Sequence, residues 1–247
     1  MPLTAIIVGA GIGGLATAIA LRQADFEVTI LEKRPTIEEV GYAIDVPPNG
    51  TRILKHLGMD LRKLRGCHQK SLDVFKADVE PMKEIRSESR DIGDDAPFLS
   101  VHRVDYHEAL KDMAMDPSLS GKPAHLRCNS RVASYDSSSG SVSLASGEEL
   151  HADIIVAADG NSSKAHTWIV GEEHPVRLTG LNNVRFTIPS SVMLGHDKLK
   201  QLVENTKDRM CVYIDEAGNF IAHYACRETL AFIMKILQTK SQYLPAR

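Results

Sequence analysis

The chain has 247 residues, 43% of them hydrophobic, enough for one good core or two modest ones. A net charge of −3, no basic block and a single Trp argue against a nucleic-acid partner. Met1-Pro2-Leu3-Thr4 lacks the regions of a secretory signal, and no apolar run approaches the ~20 residues of a membrane helix. Stable membrane insertion is therefore not expected, and the cytoplasm is the expected location.

The first predicted element is a buried strand, Ala5-Ile6-Ile7-Val8, which feeds into Gly9-Ala10-Gly11-Ile12-Gly13-Gly14. An alanine-rich helix follows from Leu15 to Ala24. In such a unit Gly9 permits the tight turn, Gly11 lets backbone approach a pyrophosphate, and Gly14 lets the helix pack close to the strand. A diphosphate there would meet free N–H groups and the positive end of the helix dipole. The second strand, Val28-Thr29-Ile30-Leu31, ends in Glu32, where a carboxylate would accept hydrogen bonds from an adenosine ribose. Strand, turn, helix, strand and acidic end in this order predict an adenine-dinucleotide site. Glu32 disfavours a 2′-phosphate, so NAD and FAD both remain open on the motif alone.

Lys33 to Glu39 reads as a charged loop or short helix, and Pro47-Pro48-Asn49 opens the next helix, which Gly58 ends. Ser71 to Ser100 reads as strands with charged loops, its most polar part, Glu84 to Asp95, being an exposed excursion. Asp105 to Met115 is a predicted helix, and His102 and His107 at its start read as packing or capping residues. Leu126 to Tyr135 and Ser141 to Leu144 alternate around a hairpin turn at Asp136 to Gly140. A second buried run, Ile154 to Ala158, ends in Asp159-Gly160 and leads to a short helix from about Ser162.

Beyond Gly180 come longer alternating segments at Asn182–Ile188, Met210–Ile214, Phe220–Tyr224 and Thr229–Ile236. The predicted class is α/β. A Rossmann-like dinucleotide domain covers 1–175, with inserted strands around 71–100, and a second, mostly antiparallel sheet domain covers 176–247. Cys67, Cys128, Cys211 and Cys226 show no ligand or disulfide spacing, so no metal site is expected.

Four segments resemble the FAD-dependent aromatic hydroxylases of the single-component, salicylate-hydroxylase-like type, above all those of fungal secondary metabolism. They are Gly9–Leu15 with Leu31-Glu32, Val40–Asn49 with Arg52 and Leu57-Gly58, Val101–His107 with Leu110, and Ala152–Gly160 with Ser163. The resemblance implies FAD as cofactor, NAD(P)H as co-substrate and a small phenolic or polyketide-derived aromatic as substrate. It implies that Glu32 binds the adenosine ribose, that the loop containing Ala43 lies along the flavin, and that Arg103 and Asp159 contact the cofactor. It further implies a substrate-site arginine at Arg185 and a phenolate-holding tyrosine at Tyr224. In the chemistry it implies, reduced flavin activates O₂ and one oxygen atom is delivered to an electron-rich ring.

Three positions depart from the family pattern. His166 stands where the second fingerprint carries arginine, and Ala43 stands where the loop usually has glycine, a change tolerated at negative φ. No Gly-Asp pair follows Arg227, although the family's third cofactor fingerprint contains one. The expectation is a C-terminally shortened member, with the C-terminal part of the fold missing. The alternative function is an impaired or inactive nucleotide-binding remnant or interaction module, with a partner chain completing the fold.

Overall fold

The computed structural model describes residues 1–37, 41–77, 84–89, 96–161, 163, 165–172 and 181–237. Val40, Ser162, Gly180, the later part of the polar excursion (90–95) and the tail from 238 lie outside them. The chain passes twice through each of two compact units, Met1–Val40 with Val104–Val176 and Gly41–Arg103 with Arg177–Arg247.

The first pass gives β1 (Thr4–Val8), α1 (Ile12–Gln23) and β2 (Glu27–Leu31). The second unit then receives β3 (Ala43–Val46), α2 (Pro48–His56), β4 (Cys67–His68), β5 (Ser71–Lys76), β6 (Glu84–Ser89) and β7 (Leu99–His102). Pro48 opens α2 where its missing N–H costs nothing, and Gly58 at φ +87° follows its end. The return through the first unit begins with α3 (Arg103–Met115), β8 (His125–Arg127) and β9 (Val132–Asp136). It continues with β10 (Ser141–Leu144), β11 (Glu149–His151), β12 (Ile154–Ala157) and α4 (Ala165–Val170). The last pass gives β13 (Leu181–Pro189), α5 (Ser190–Leu194) and α6 (Asp197–Asn205). It closes with β14 (Arg209–Ile214), β15 (Phe220–Cys226) and β16 (Thr229–Leu237).

In the first unit β12-β1-β2-β8 form a parallel sheet, with Ala5 opposite both Val28 and Ile154. Parallel neighbours need a crossover, and α1 supplies the one between β1 and β2. Because β1 is central, its last four residues are all buried, which is why the sequence there is an unbroken apolar run. The antiparallel β11-β10-β9 meander buries Val142 and Leu144 against Ile6, Val8 and Leu31. This is the Rossmann-like architecture that the sequence predicts.

The second unit holds a six-stranded sheet in the order β13-β16-β15-β14-β5-β6, antiparallel throughout except between β14 and β5. A smaller antiparallel sheet, β3-β7-β4, accompanies it. Residues 71–76, which sequence proximity groups with the first domain, pair in register with 209–214. Alternation around Leu72 and Val74 reads as a strand but does not say which sheet it joins, and in the structure the adjacent Asp73 and Val74 are both buried. The expected elements include no helix between 190 and 205, where α5 and α6 stand. There Met193, Leu199, Leu202 and Val203 pack on Ile188, Leu230 and Phe232, and Leu199, Leu202 and Val203 do fall at the i, i+3, i+4 spacing of a helix, a signal confined to a single short element.

Candidate functional site

The turn after β1 is fixed by two glycines for steric reasons. Gly9 sits at φ +108°, and a Cβ on it would strike the Ala158 carbonyl oxygen. A Cβ on Gly14 would strike the Gly9 carbonyl oxygen, so the first helical turn lies directly on the strand exit. Gly11 differs, since nothing lies within 4 Å of the place its side chain would occupy. It is also the N-cap of α1, with no side-chain cap and no acidic residue in the first helical turn. The first helical turn thus has no side-chain cap, and the positive end of the helix dipole lies beside the open space at Gly11, an arrangement suited to an anion.

Glu32 leaves β2 beside this turn. Its Oε2 accepts from the Ala10 N–H at 3.1 Å and its Oε1 from the Arg34 N–H at 2.9 Å. Each oxygen retains a lone pair for a further donor such as a ribose hydroxyl. The Ala10 carbonyl is held as well: His107, fully buried on α3, places Nε2 2.6 Å from it. A carbonyl only accepts, so this ring nitrogen carries the proton. No spacing in the sequence announces that contact, because it joins residues 97 positions apart.

The loop after β12 closes on the same turn. The Ala158 N–H donates to the Val8 carbonyl at 2.9 Å, and a Cβ on Gly9 would lie 3.3 Å from the Asp159 Cα. Tyr135, from β9, donates its hydroxyl to Asp159 Oδ2 at 3.1 Å. Burial, then the adjacent carboxylate, pushes the Tyr135 phenol well above its ordinary range, so it remains a donor. The first unit thus brings together Gly9, Gly11, Gly14, Glu32 and Asp159, and adds His107 and Tyr135, which sequence reasoning did not single out for this site.

In the second unit Ala43 begins β3 and is absent from the residues at positive φ, so alanine brings no backbone strain there. The Tyr224 hydroxyl, on a side chain that is 1% exposed, donates to the Ala43 carbonyl at 3.3 Å. Burial, then the Asp45 carboxylate, raises the Tyr224 phenol far above the usual value, and Arg185 opposes that shift. Register explains the proximity. Arg185 pairs with Ile233, which pairs with Ala222, while Tyr224 pairs with Ala231 two residues along, so Arg185 and Tyr224 share one sheet face. Arg185 is exposed on edge strand β13. The one proton of Tyr224 is already given to Ala43, so donation to a phenolate would require that bond to switch. Arg103 is half-buried at the start of α3, and its backbone N–H donates to the Tyr42 carbonyl at 3.0 Å. His166 is exposed on α4.

All four cysteines are free thiols. Among the described residues no helix is long and apolar enough to cross a membrane.

Residues 7–50 match the model of the NAD(P)-binding Rossmann-like domain. The chain is 35% identical to the FAD-dependent monooxygenase cfoG of Aspergillus candidus, across 90% of this chain and 52% of the relative. It is 33% identical to hispidin-3-hydroxylase of Neonothopanus nambi, across 82% of this chain and 48% of that enzyme. It is 30% identical to 3-hydroxybenzoate 6-hydroxylase 1 of Aquipseudomonas alcaligenes, across 76% of this chain and 48% of that protein. The fold matches that of 2-methyl-3-hydroxypyridine-5-carboxylic acid oxygenase with a TM-score of 0.77 at 24% identity, covering 97% of this chain and 60% of the other. The chain spans about half the length of the curated relatives it matches.

Proposed function

The chain belongs to the FAD-dependent monooxygenase family, and from that premise we propose that its protein hydroxylates a phenolic or polyketide-derived aromatic, using NAD(P)H and O₂, in secondary metabolism. The observation that carries this reading is the Gly9–Gly14 turn with Glu32 at its side. The residues present fit a dinucleotide: the space beside Gly11 is open, the N-terminus of α1 is uncapped, and Glu32 has acceptor capacity to spare.

In this reading the Gly11 N–H and the N-terminus of α1 bind the diphosphate, Glu32 accepts from the adenosine ribose, and Asp159 borders the same turn. Ala43 and Arg103 are further cofactor contacts on the strength of the resemblance. When bound, FAD supplies electron transfer from NAD(P)H and the activation of O₂. The chain supplies orientation and charge. Arg185 favours the phenolate of an incoming phenol by the opposite-charge effect, which makes the ring more electron-rich. Tyr224, on the same sheet face, braces the strand that carries Ala43.

The test is the visible spectrum of the purified chain after FAD is added and the excess removed. A retained two-banded flavin spectrum, with NAD(P)H oxidation stimulated by candidate phenols, supports the reading. A colourless protein that retains no FAD overturns it.

A further inference from the structure

We infer that His107 is the positioning residue for the dinucleotide diphosphate, holding the Ala10 carbonyl inward so that the Gly11 N–H is presented outward. The inference rests on the dinucleotide reading above and assigns a role to a residue outside the glycine motif.

A trans peptide fixes its C=O and the following N–H on opposite sides of one plane. The Ala10 carbonyl points at the buried His107 ring, 2.6 Å from Nε2. The Gly11 N–H, in the same peptide plane, must then point the opposite way, away from α3. The hydrogen-bond ladder of α1 starts one residue later, where the Gly11 carbonyl accepts from the Leu15 N–H at 2.9 Å. The Ala10 carbonyl therefore lies before the ladder and takes its proton from a side chain.

That side chain matters because of the glycines. Gly9 and Gly11 flank Ala10 and give the turn backbone freedom that other residues would deny it. Glu32 on the Ala10 N–H and His107 on the Ala10 carbonyl remove this freedom, one bond on each side of the residue. A buried imidazole without a partner would carry a desolvation cost that leucine avoids, so the carbonyl accounts for a polar ring at this place. Preorganised donors bind an anion without the cost of ordering them first.

The test compares FAD, ADP and adenosine binding to the full chain by equilibrium dialysis, for the wild type, His107→Leu and His107→Gln. Loss of the donor should weaken FAD and ADP at least ten-fold while adenosine changes less than two-fold, and glutamine, whose amide reaches the Nε2 position, should restore most of the loss. Equal weakening of ADP and adenosine would reduce His107 to a structural role and overturn the inference. So would unchanged ADP binding in His107→Leu. If His107→Leu does not fold, His107→Gln is compared with the shorter His107→Asn, and equal ADP affinities overturn the inference. A wild-type chain that binds neither FAD nor ADP instead overturns the dinucleotide reading, and this inference with it.

Discussion

Arg22 is 1% exposed, yet it has no carboxylate beside it in the contacts that hold it. Its guanidinium donates to the carbonyls of Met113, Ala114, Asp116, Leu119 and Gly121 at 2.7–3.2 Å. These acceptors are the last carbonyls of α3 and the turn beyond it, where the helix dipole favours a cation. Gly121, at φ +76°, leaves no room for a Cβ against the Arg22 backbone carbonyl, so the turn and the arginine specify each other. Arg22→Met should cost at least about 3 kcal/mol in urea denaturation, because several buried acceptors lose their donor together. Arg22→Lys should recover less than half of that, since an ammonium cannot spread its donors in a planar fork. A loss under about 1 kcal/mol would mean that water reaches those carbonyls.

His223 gives the second residue-scale expectation. It is 1% exposed, stacked on Tyr213 and beside Phe232. Thr206 gives its hydroxyl proton to the Leu202 carbonyl, so it accepts from His223 Nδ1–H at 3.1 Å, and Nε2 then accepts from the Tyr213 hydroxyl at 3.2 Å. Protonating Nε2 would put a charge in this buried place and require the Tyr213 hydroxyl to turn from donor to acceptor. Burial depresses this histidine from 6.5 to about 4. Between those values the unfolded chain binds a proton that the folded chain refuses, so stability falls as pH drops through the window. The contribution is complete above about pH 6.5 and shrinks by about 3 kcal/mol by about pH 4. Denaturation midpoints measured from pH 7 to 4 should show this slope, and His223→Phe should flatten it whatever its own baseline stability.

At the scale of the element, the β1–α1 turn separates two uses of glycine that its sequence writes identically. Gly14→Ala places a Cβ against the Gly9 carbonyl and should destabilise the fold, lowering the thermal midpoint and FAD affinity together. Gly11→Ala places its Cβ in open space, so the midpoint should hold while FAD affinity falls. If both variants lose stability equally, the space beside Gly11 is not reserved for a cofactor. Most of this element was legible in the sequence. The apolar run of β1, the glycine spacing and the acid at the end of β2 are local signals, each carried by residues close together in the chain. The buried polar partners were not legible. His107 reaches Ala10 across 97 positions and Tyr135 reaches Asp159 across 24, so neither lies at a helical or strand period. Tyr224 is a candidate by its resemblance, but its Ala43 partner, 181 positions away, carries no local signal.

For the molecule as a whole, the order in which the chain visits its two units is what the sequence hides. Alternation identifies β5 as a strand, yet only the parallel register from Ser71–Arg209 to Lys76–Ile214 tells where it belongs. A reading by proximity keeps 71–76 with the segments on either side of it, 1–40 and 104–176. The hydrogen bonds instead join it to a strand more than a hundred residues later. Expression of residues 1–175 alone decides between these assignments. That fragment retains β12, β1, β2 and β8 complete, with the meander that buries Val142 and Leu144 against them. It retains only β6 as a partner for β5, and an isolated two-stranded hairpin is at best marginally stable in water. Amide hydrogen exchange in the fragment should therefore leave residues 5–8, 28–31 and 154–157 protected, while 71–76 exchanges at the rate of unstructured chain. Protection of 71–76 at the level of β1 would show that β5 draws its stability from the first unit, and would return it to the domain that sequence proximity assigns.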